Sequence, residues 1–125
     1  MVSSKLWQTD YSKRVVIGMI EYIEILGPKN ARKKVKARID TGATRSSIDR
    51  DLANELGLGP VLRTKLVKQA LGHMIRPIII AEFIMGDVKM KEEFTVAKRS
   101  HMKYPVLIGR NALKNGFLID PNLKK

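Results

Sequence analysis

The sequence contains no cysteine, which excludes disulfide frameworks, thiolate metal sites, iron–sulfur clusters and thiol nucleophiles together. No stretch approaches the roughly 18 uninterrupted apolar residues of a membrane span, and Met1 to Asp10 lacks the apolar core of a secretory leader. The expectation is a soluble, cytoplasmic chain with no membrane partner. Acidic residues are scarce: Asp+Glu number 12 against 24 Lys+Arg, a formal charge of +12, which favours polyanionic partners. Aromatic residues make up only 6% of the chain, thin for a surface that stacks bases, so nucleic acid is the less favoured polyanion. No His-Glu-x-x-His helix and no Gly-rich loop ending in Lys-Ser or Lys-Thr occurs, and neither metal nor cofactor is expected.

What is present suits one small domain: 125 residues, 44% of them hydrophobic. A polar arm over 1–13, carrying Trp7, precedes a folded unit over 14–125. Inside that unit apolar alternation of period two dominates. Val35, Ala37 and Ile39 share one face with Lys34, Lys36 and Arg38 on the other, which predicts a half-buried strand ending at Asp40. A Val/Ile-rich segment from Val15 to Leu26, closed by Gly27-Pro28-Lys29-Asn30, predicts an antiparallel hairpin into it. Asp49 suits the cap of a short helix with Leu52 and Leu56 four residues apart and Gly57 at its end. Further strands are predicted over Thr64 to Gln69, Met74 to Ile84 and Val88 to Ala97, separated by Leu71-Gly72-His73 and Met85-Gly86-Asp87. A second helical stretch over Arg110 to Lys114 precedes an extended segment at Phe117 to Asp120 and a frayed tail from Asn122. His73 and His101 are expected at the surface, and Met74, Met85, Met90 and Met102 as core filling. The fold class is mainly β, a small closed barrel with one or two short helices.

The strongest chemical signal is Asp40-Thr41-Gly42-Ala43 at the end of an alternating strand, with Leu107-Ile108-Gly109-Arg110-Asn111 leading into a helix some 70 residues later. Taken alone, Asp-Thr-Gly is a common turn. The pair of segments resembles the retropepsin family, the single-domain, homodimeric aspartic proteases of retroviruses and their cellular relatives. The resemblance covers most of Val15 to Pro121. The order Gly72-His73, Arg76-Pro77, Met102, Leu107 to Arg110, Leu113 and Phe117 to Pro121 is closest to its prokaryotic branch, often labelled ATP-dependent zinc proteases. The motifs named above give that label no support.

The resemblance implies an acid-protease barrel that dimerises with itself across the active site. It assigns Asp40, Thr41 and Gly42 to catalysis, Ala43 and Thr44 to substrate contact, and a flap with Leu71, Gly72 and His73 at its tip. Leu107, Ile108, Gly109, Arg110 and Asn111 support the loop from beneath. The chemistry asks for two carboxylates sharing a proton, and one chain carries one Asp-Thr-Gly, so the second Asp40 is expected from a twofold-related copy. Such a pair titrates in two separated steps. Ala43 lacks the hydroxyl that a Ser would aim at the carboxylates, which predicts activity extending nearer neutrality. Viral members usually place an acidic residue after the tetrapeptide to pair with the helix Arg. This chain has Thr44 and Arg45, and leaves Arg110 without an expected partner. The expected substrate is a peptide or protein, acidic and Glu-rich by charge and by the association of some relatives with glutamate-adding enzymes. The alternatives are a catalytically silent peptide-binding or dimerisation module of the same fold, or a basic nucleic-acid or ribosome-binding barrel using Lys33, Lys34, Lys36 and Arg38.

Overall fold

A computed structural model describes residues 11–124. Most of the expected arm, Trp7 included, lies outside those residues. The chain forms β1 (Val15–Ile17), β2 (Ile20–Leu26), β3 (Arg32–Ile39), β4 (Ser46–Asp49), α1 (Arg50–Glu55), β5 (Arg63–Gln69), β6 (Gly72–Met85), β7 (Val88–Ala97), β8 (Val106–Ile108), α2 (Arg110–Leu113) and β9 (Phe117–Ile119).

Six strands in the order β2-β3-β8-β4-β7-β6 close into a barrel, because β6 pairs back onto β2. Closure leaves the barrel wall without an edge. The predicted β2–β3 hairpin is present, with Tyr22 opposite Lys36 and Ile23 opposite Val35. At the next hairpin Gly86 and Asp87 both take positive φ, 55° and 64°, the two-residue turn whose twist matches flanking strands. The inward side is apolar: Ile23, Ile25, Ile39, Ile48, Phe83, Phe94, Val106 and Ile108 are each at most 2% exposed. Phe83 and Phe94 meet edge to face at 5.4 Å between ring centres. β6 is long because its two halves serve different partners. Its first half pairs with β5 as a projecting hairpin and its second with β7 and β2. Pro77, which has no amide to donate, sits just before the β7 ladder begins at Ile78.

Four expectations need correction. The Val15–Leu26 segment breaks into β1 and β2, since the Gly18 amide is drawn to the buried Glu21 carboxylate at 2.7 Å. The hairpin tip is Ala70-Leu71, one residue earlier than expected, and Gly72 and His73 already belong to β6. Met74 and Met102 are exposed, while Met85 and Met90 are core. The tail through Leu123 is held rather than frayed, its amide donating to the Asp120 carbonyl at 3.1 Å. Two strands went unforeseen, β4 and β8. They are the centre of the wall, and β8 runs parallel to β3 and antiparallel to β4.

Candidate active site

Asp40 stands where β3 ends. Its amide donates to the Ile108 carbonyl at 2.9 Å, so pairing with β8 holds up to the turn. Ile39 is buried at 2%, and alternation therefore turns the half-buried Asp40 to the outward side. The Gly42 amide donates to Asp40 Oδ1 at 2.9 Å and orients the carboxylate. The Ala43 amide closes the turn on the Asp40 carbonyl at 3.3 Å.

The start of α2 braces this loop from beneath. The Arg110 amide donates to the Ala43 carbonyl at 2.8 Å and the Asn111 amide to that of Thr44 at 3.2 Å. Such an approach needs a residue without a side chain at 109. A Cβ on Gly109 would stand 2.7 Å from the Arg45 carbonyl oxygen and 2.9 Å from that of Ala43. The Arg110 side chain then returns over the loop, Nη1 donating to the Thr41 carbonyl at 2.8 Å and Nη2 to Thr44 Oγ1 at 3.0 Å. Thr44 thus supplies, as a hydroxyl, the acceptor that viral members usually supply as an acidic residue, and gives Arg110 the partner the sequence left open.

Ser46, fully buried, locks the two segments together and was not anticipated from the sequence. Its Oγ accepts from the Gly109 amide at 3.0 Å and donates to Asn111 Oδ1 at 2.8 Å, while Asn111 Nδ2 donates to the Glu93 carbonyl at 2.9 Å. Nothing in the spelling Arg45-Ser46-Ser47 separates it from a loop serine; only the register shows it. The Glu93 side chain takes two hydrogen bonds from Arg63, at 3.0 and 2.5 Å, and faces Arg45 at 3.6 Å. The Arg63 hydrogen bond holds the Glu93 carboxyl below its ordinary range, and Glu93 in turn raises the guanidinium.

Asp40 to Thr44 and Leu107 to Asn111 are therefore one bonded unit, as the resemblance implies. Leu71, Gly72 and His73 are not part of it. They lie exposed at the end of the β5–β6 hairpin, and among the described residues no hydrogen bond ties them to the Asp40 loop. Among the described residues no three His, Asp or Glu side chains are grouped to hold a metal ion.

The family described as RimB-like, "Retropepsin-like aspartic endopeptidase RimB", matches residues 48–125. The chain belongs to this family. The match begins after Asp40-Thr41-Gly42-Ala43 and takes in α1, the β5–β6 hairpin, β7, β8, α2 and β9, but not β2 or β3. Two solved structures share the retropepsin-like fold. The Legionella pneumophila protein Lpg0085, of unknown function, is 17% identical with a TM-score of 0.59, over 88% of this chain and 95% of that one. The simian foamy virus protease is 19% identical with a TM-score of 0.58, over 76% of this chain and 91% of that one. A curated protein of Parasynechococcus marenigrum (strain WH8102), named "Probable alpha-L-glutamate ligase", is 25% identical over an alignment 135 positions long. The alignment takes in 88% of this chain but only 28% of the length of that protein. Among the described residues no helix is long and apolar enough to cross a membrane.

Proposed function

We propose that the protein is a homodimeric aspartic endopeptidase in which Asp40 of two copies meets across a twofold axis. The observation that carries this reading is the Asp40 loop itself: an outward carboxylate oriented by the Gly42 amide, on a turn fixed from beneath by Gly109 and Arg110. A rigidly mounted carboxylate is half of an acid–base pair, and an isologous interface supplies the other half from the same residue. The ionised Asp40 takes a proton from water as the oxygen attacks the peptide carbonyl, and the protonated Asp40 gives its proton to the carbonyl oxygen. The tetrahedral diol then collapses: the Asp40 that took the water's proton gives it to the amine nitrogen, the C–N bond breaks, and the other Asp40 takes a proton from a diol hydroxyl as the carboxyl product forms. Thr41 braces the paired loops, and the β5–β6 hairpin closes over the substrate.

The formal charge of +12 and the likeness to part of a protein named as a glutamate ligase both support acidic, Glu-rich segments as substrate. A nucleic-acid surface on β2 and β3 is less well supported. The ring of Tyr22, the one aromatic on the Lys34–Lys36 face of β2 and β3 among the described residues, already carries Lys34 Nζ at 5.0 Å and Lys36 Nζ at 5.3 Å. The test is hydrolysis of a diverse peptide library by the protein and by Asp40→Asn. Cleavage should fall about 10³-fold or more in the variant, be untouched by chelators and weaken on dilution as dimers dissociate. Cleavage retained by Asp40→Asn refutes the reading.

A further inference from the structure

Side chains alternate along β3, and Lys34, Lys36 and Arg38 are all exposed on the outward side that leads to Asp40. Alternate residues of a strand repeat about every 7 Å, so Arg38, Lys36 and Lys34 stand about 7, 13 and 20 Å from Asp40 along one line. Residues paired across neighbouring strands share a face, which puts Tyr22 beside Lys36, and Ile20 and Leu107 on either side of Arg38. Ile20 and Leu107 are half-buried and apolar, a setting in which a charge contact is stronger than in open water.

No acid of the described chain answers this row. The adjacent cations are spent, Arg32 on Glu24 and Lys33 on Glu55 at 2.8 Å. Among the described residues Lys34, Lys36 and Arg38 enter no ion pair: the two lysines rest their ammonium groups on the Tyr22 ring, and the Arg38 side chain makes no contact of that kind or any hydrogen bond. The one acid in line with them on this strand is Asp40, whose carboxylate accepts from the Gly42 amide and not from Arg38. Like charges lined up at this spacing repel, and an anion laid along them relieves the repulsion. The repeat says which anion fits. An extended polypeptide also carries alternate side chains about 7 Å apart, so a segment with an acid at every second position meets the row in register. A single-stranded nucleic acid would call for a free ring to stack on, and the Tyr22 ring is already engaged by two ammonium groups.

We propose that Arg38, Lys36 and Lys34 form a track for an extended acidic polypeptide that ends at Asp40, with Arg38 selecting a Glu or Asp within two residues of the scissile bond. The guanidinium offers paired N–H donors to that carboxylate, and the lysines hold acids further along by charge. A twofold axis through the Asp40 pair would repeat the track on the other side of the bond, so acids are selected on both sides. The track rests on the peptidase reading for its link to catalysis, but binding along it is measurable without turnover.

The experiment uses the full chain carrying Asp40→Asn and fluorescence anisotropy with three labelled peptides. One has Glu at every second position, one has the same number of Glu at every third position, and one has Gln in place of every Glu. The alternating peptide should bind at least about fivefold more tightly than the second and more tightly still than the third. Arg38→Gln and Lys36→Gln should each weaken it about fivefold and together erase the spacing preference, Arg38→Lys should restore most of the binding, and Lys98→Gln, an exposed cation after β7, should change it less than about twofold. Because Arg38 makes no internal contact, Arg38→Gln should melt with the parent. The proposal is overturned if the two Glu spacings bind alike, if Lys98→Gln weakens binding as much as Arg38→Gln, or if Arg38→Gln melts several degrees lower. It is also overturned if single-stranded oligouridine binds through the same residues more tightly than the alternating peptide. Hydrolysis by the Asp40 protein separates the two readings. Cleavage indifferent to Glu near the bond removes the track and keeps the peptidase, whereas spacing-dependent binding without cleavage does the reverse.

Discussion

The Asp40 loop and the tip of the β5–β6 hairpin, the two structures expected to face a substrate, are built in opposite ways. In the loop, carbonyls of Thr41, Ala43 and Thr44 each receive a donor from α2, and Ser46 ties Gly109 to Asn111. The hairpin is held by its own ladder from Arg63 opposite Ile78 to Gln69 opposite Gly72, with Leu66, Leu71 and Ile75 exposed. A carboxylate that must hold its geometry sits on a cross-linked base. The element expected to admit a polypeptide carries exposed apolar side chains outside the barrel core, a low-stability arrangement suited to opening and closing.

The comparison breaks most severely at Gly109. Gly109→Ala puts a methyl group 2.7 Å from the Arg45 carbonyl oxygen, a backbone atom that cannot turn aside as a side chain would. We expect about 3 kcal/mol of lost stability and a fall in Tm of about 10 °C, with peptide cleavage lost in the same variant. A Tm within 2 °C of the parent, roughly the scatter of such measurements, contradicts the close packing of α2 on the loop.

Arg110 gives a smaller break at the same place. Lysine reaches one acceptor where the guanidinium serves two, the Thr41 carbonyl and Thr44 Oγ1. Arg110→Lys should cost about 1 kcal/mol, and Thr44→Val a similar amount. Because both remove the same contact, the double variant should be less destabilised than the two costs added together. Strict additivity in urea unfolding shows that Thr44 is not the working partner of Arg110.

Much of this was legible in the sequence, for identifiable reasons. The Lys34 to Ile39 alternation fixed both the strand and the side on which Asp40 would emerge. Asp49 was legible as a cap, and its Oδ2 does accept from the Asp51 and Leu52 amides. β4 was not legible: Ser46-Ser47-Ile48-Asp49 is mostly polar, yet all four residues are buried because β7 and β8 flank them on both sides. Such a strand is decided by its neighbours and not by its own propensity. The parallel pairing of β1 with β9 unites segments from opposite ends of the chain and leaves no local trace. The partner of Arg110 was hidden for a related reason, since a threonine hydroxyl carries no charge signature that would single it out.

At the hairpin the expected effect is on binding, not on folding. Leu71→Ser changes a fully exposed side chain that the barrel does not use, so stability should move by less than about 0.5 kcal/mol. If the tip covers substrate, KM should rise several-fold with kcat nearly constant, the signature of lost uniform binding. A fall in kcat at constant KM places the tip in the chemical step and undoes the contrast with the loop.

The smallest effect lies between the two regions, where Glu93 joins Arg63 at the root of the hairpin to Arg45 beside the loop. The Arg63 hydrogen bond lowers the Glu93 carboxyl below its ordinary value, so the folded protein holds this proton less tightly than the unfolded chain does. The sign follows: the stabilisation is fully present above the unfolded carboxyl range near pH 4.3 and disappears as pH falls through the lower folded value. The Arg63 and Glu93 side chains are 47% and 33% exposed, so solvent screening keeps the contribution small. Glu93→Gln should therefore be slightly less stable than the parent at pH 7 and at pH 5, and the gap should shrink towards pH 3. The gap at pH 7 should narrow as salt rises from about 0.05 to 0.5 M, where the Debye length falls well below 10 Å. Urea midpoints at the three pH values decide it. A gap as wide at pH 3 as at pH 7 assigns the cost of Glu93→Gln to packing, and removes the ion pair as the link between the fixed loop and the projecting hairpin.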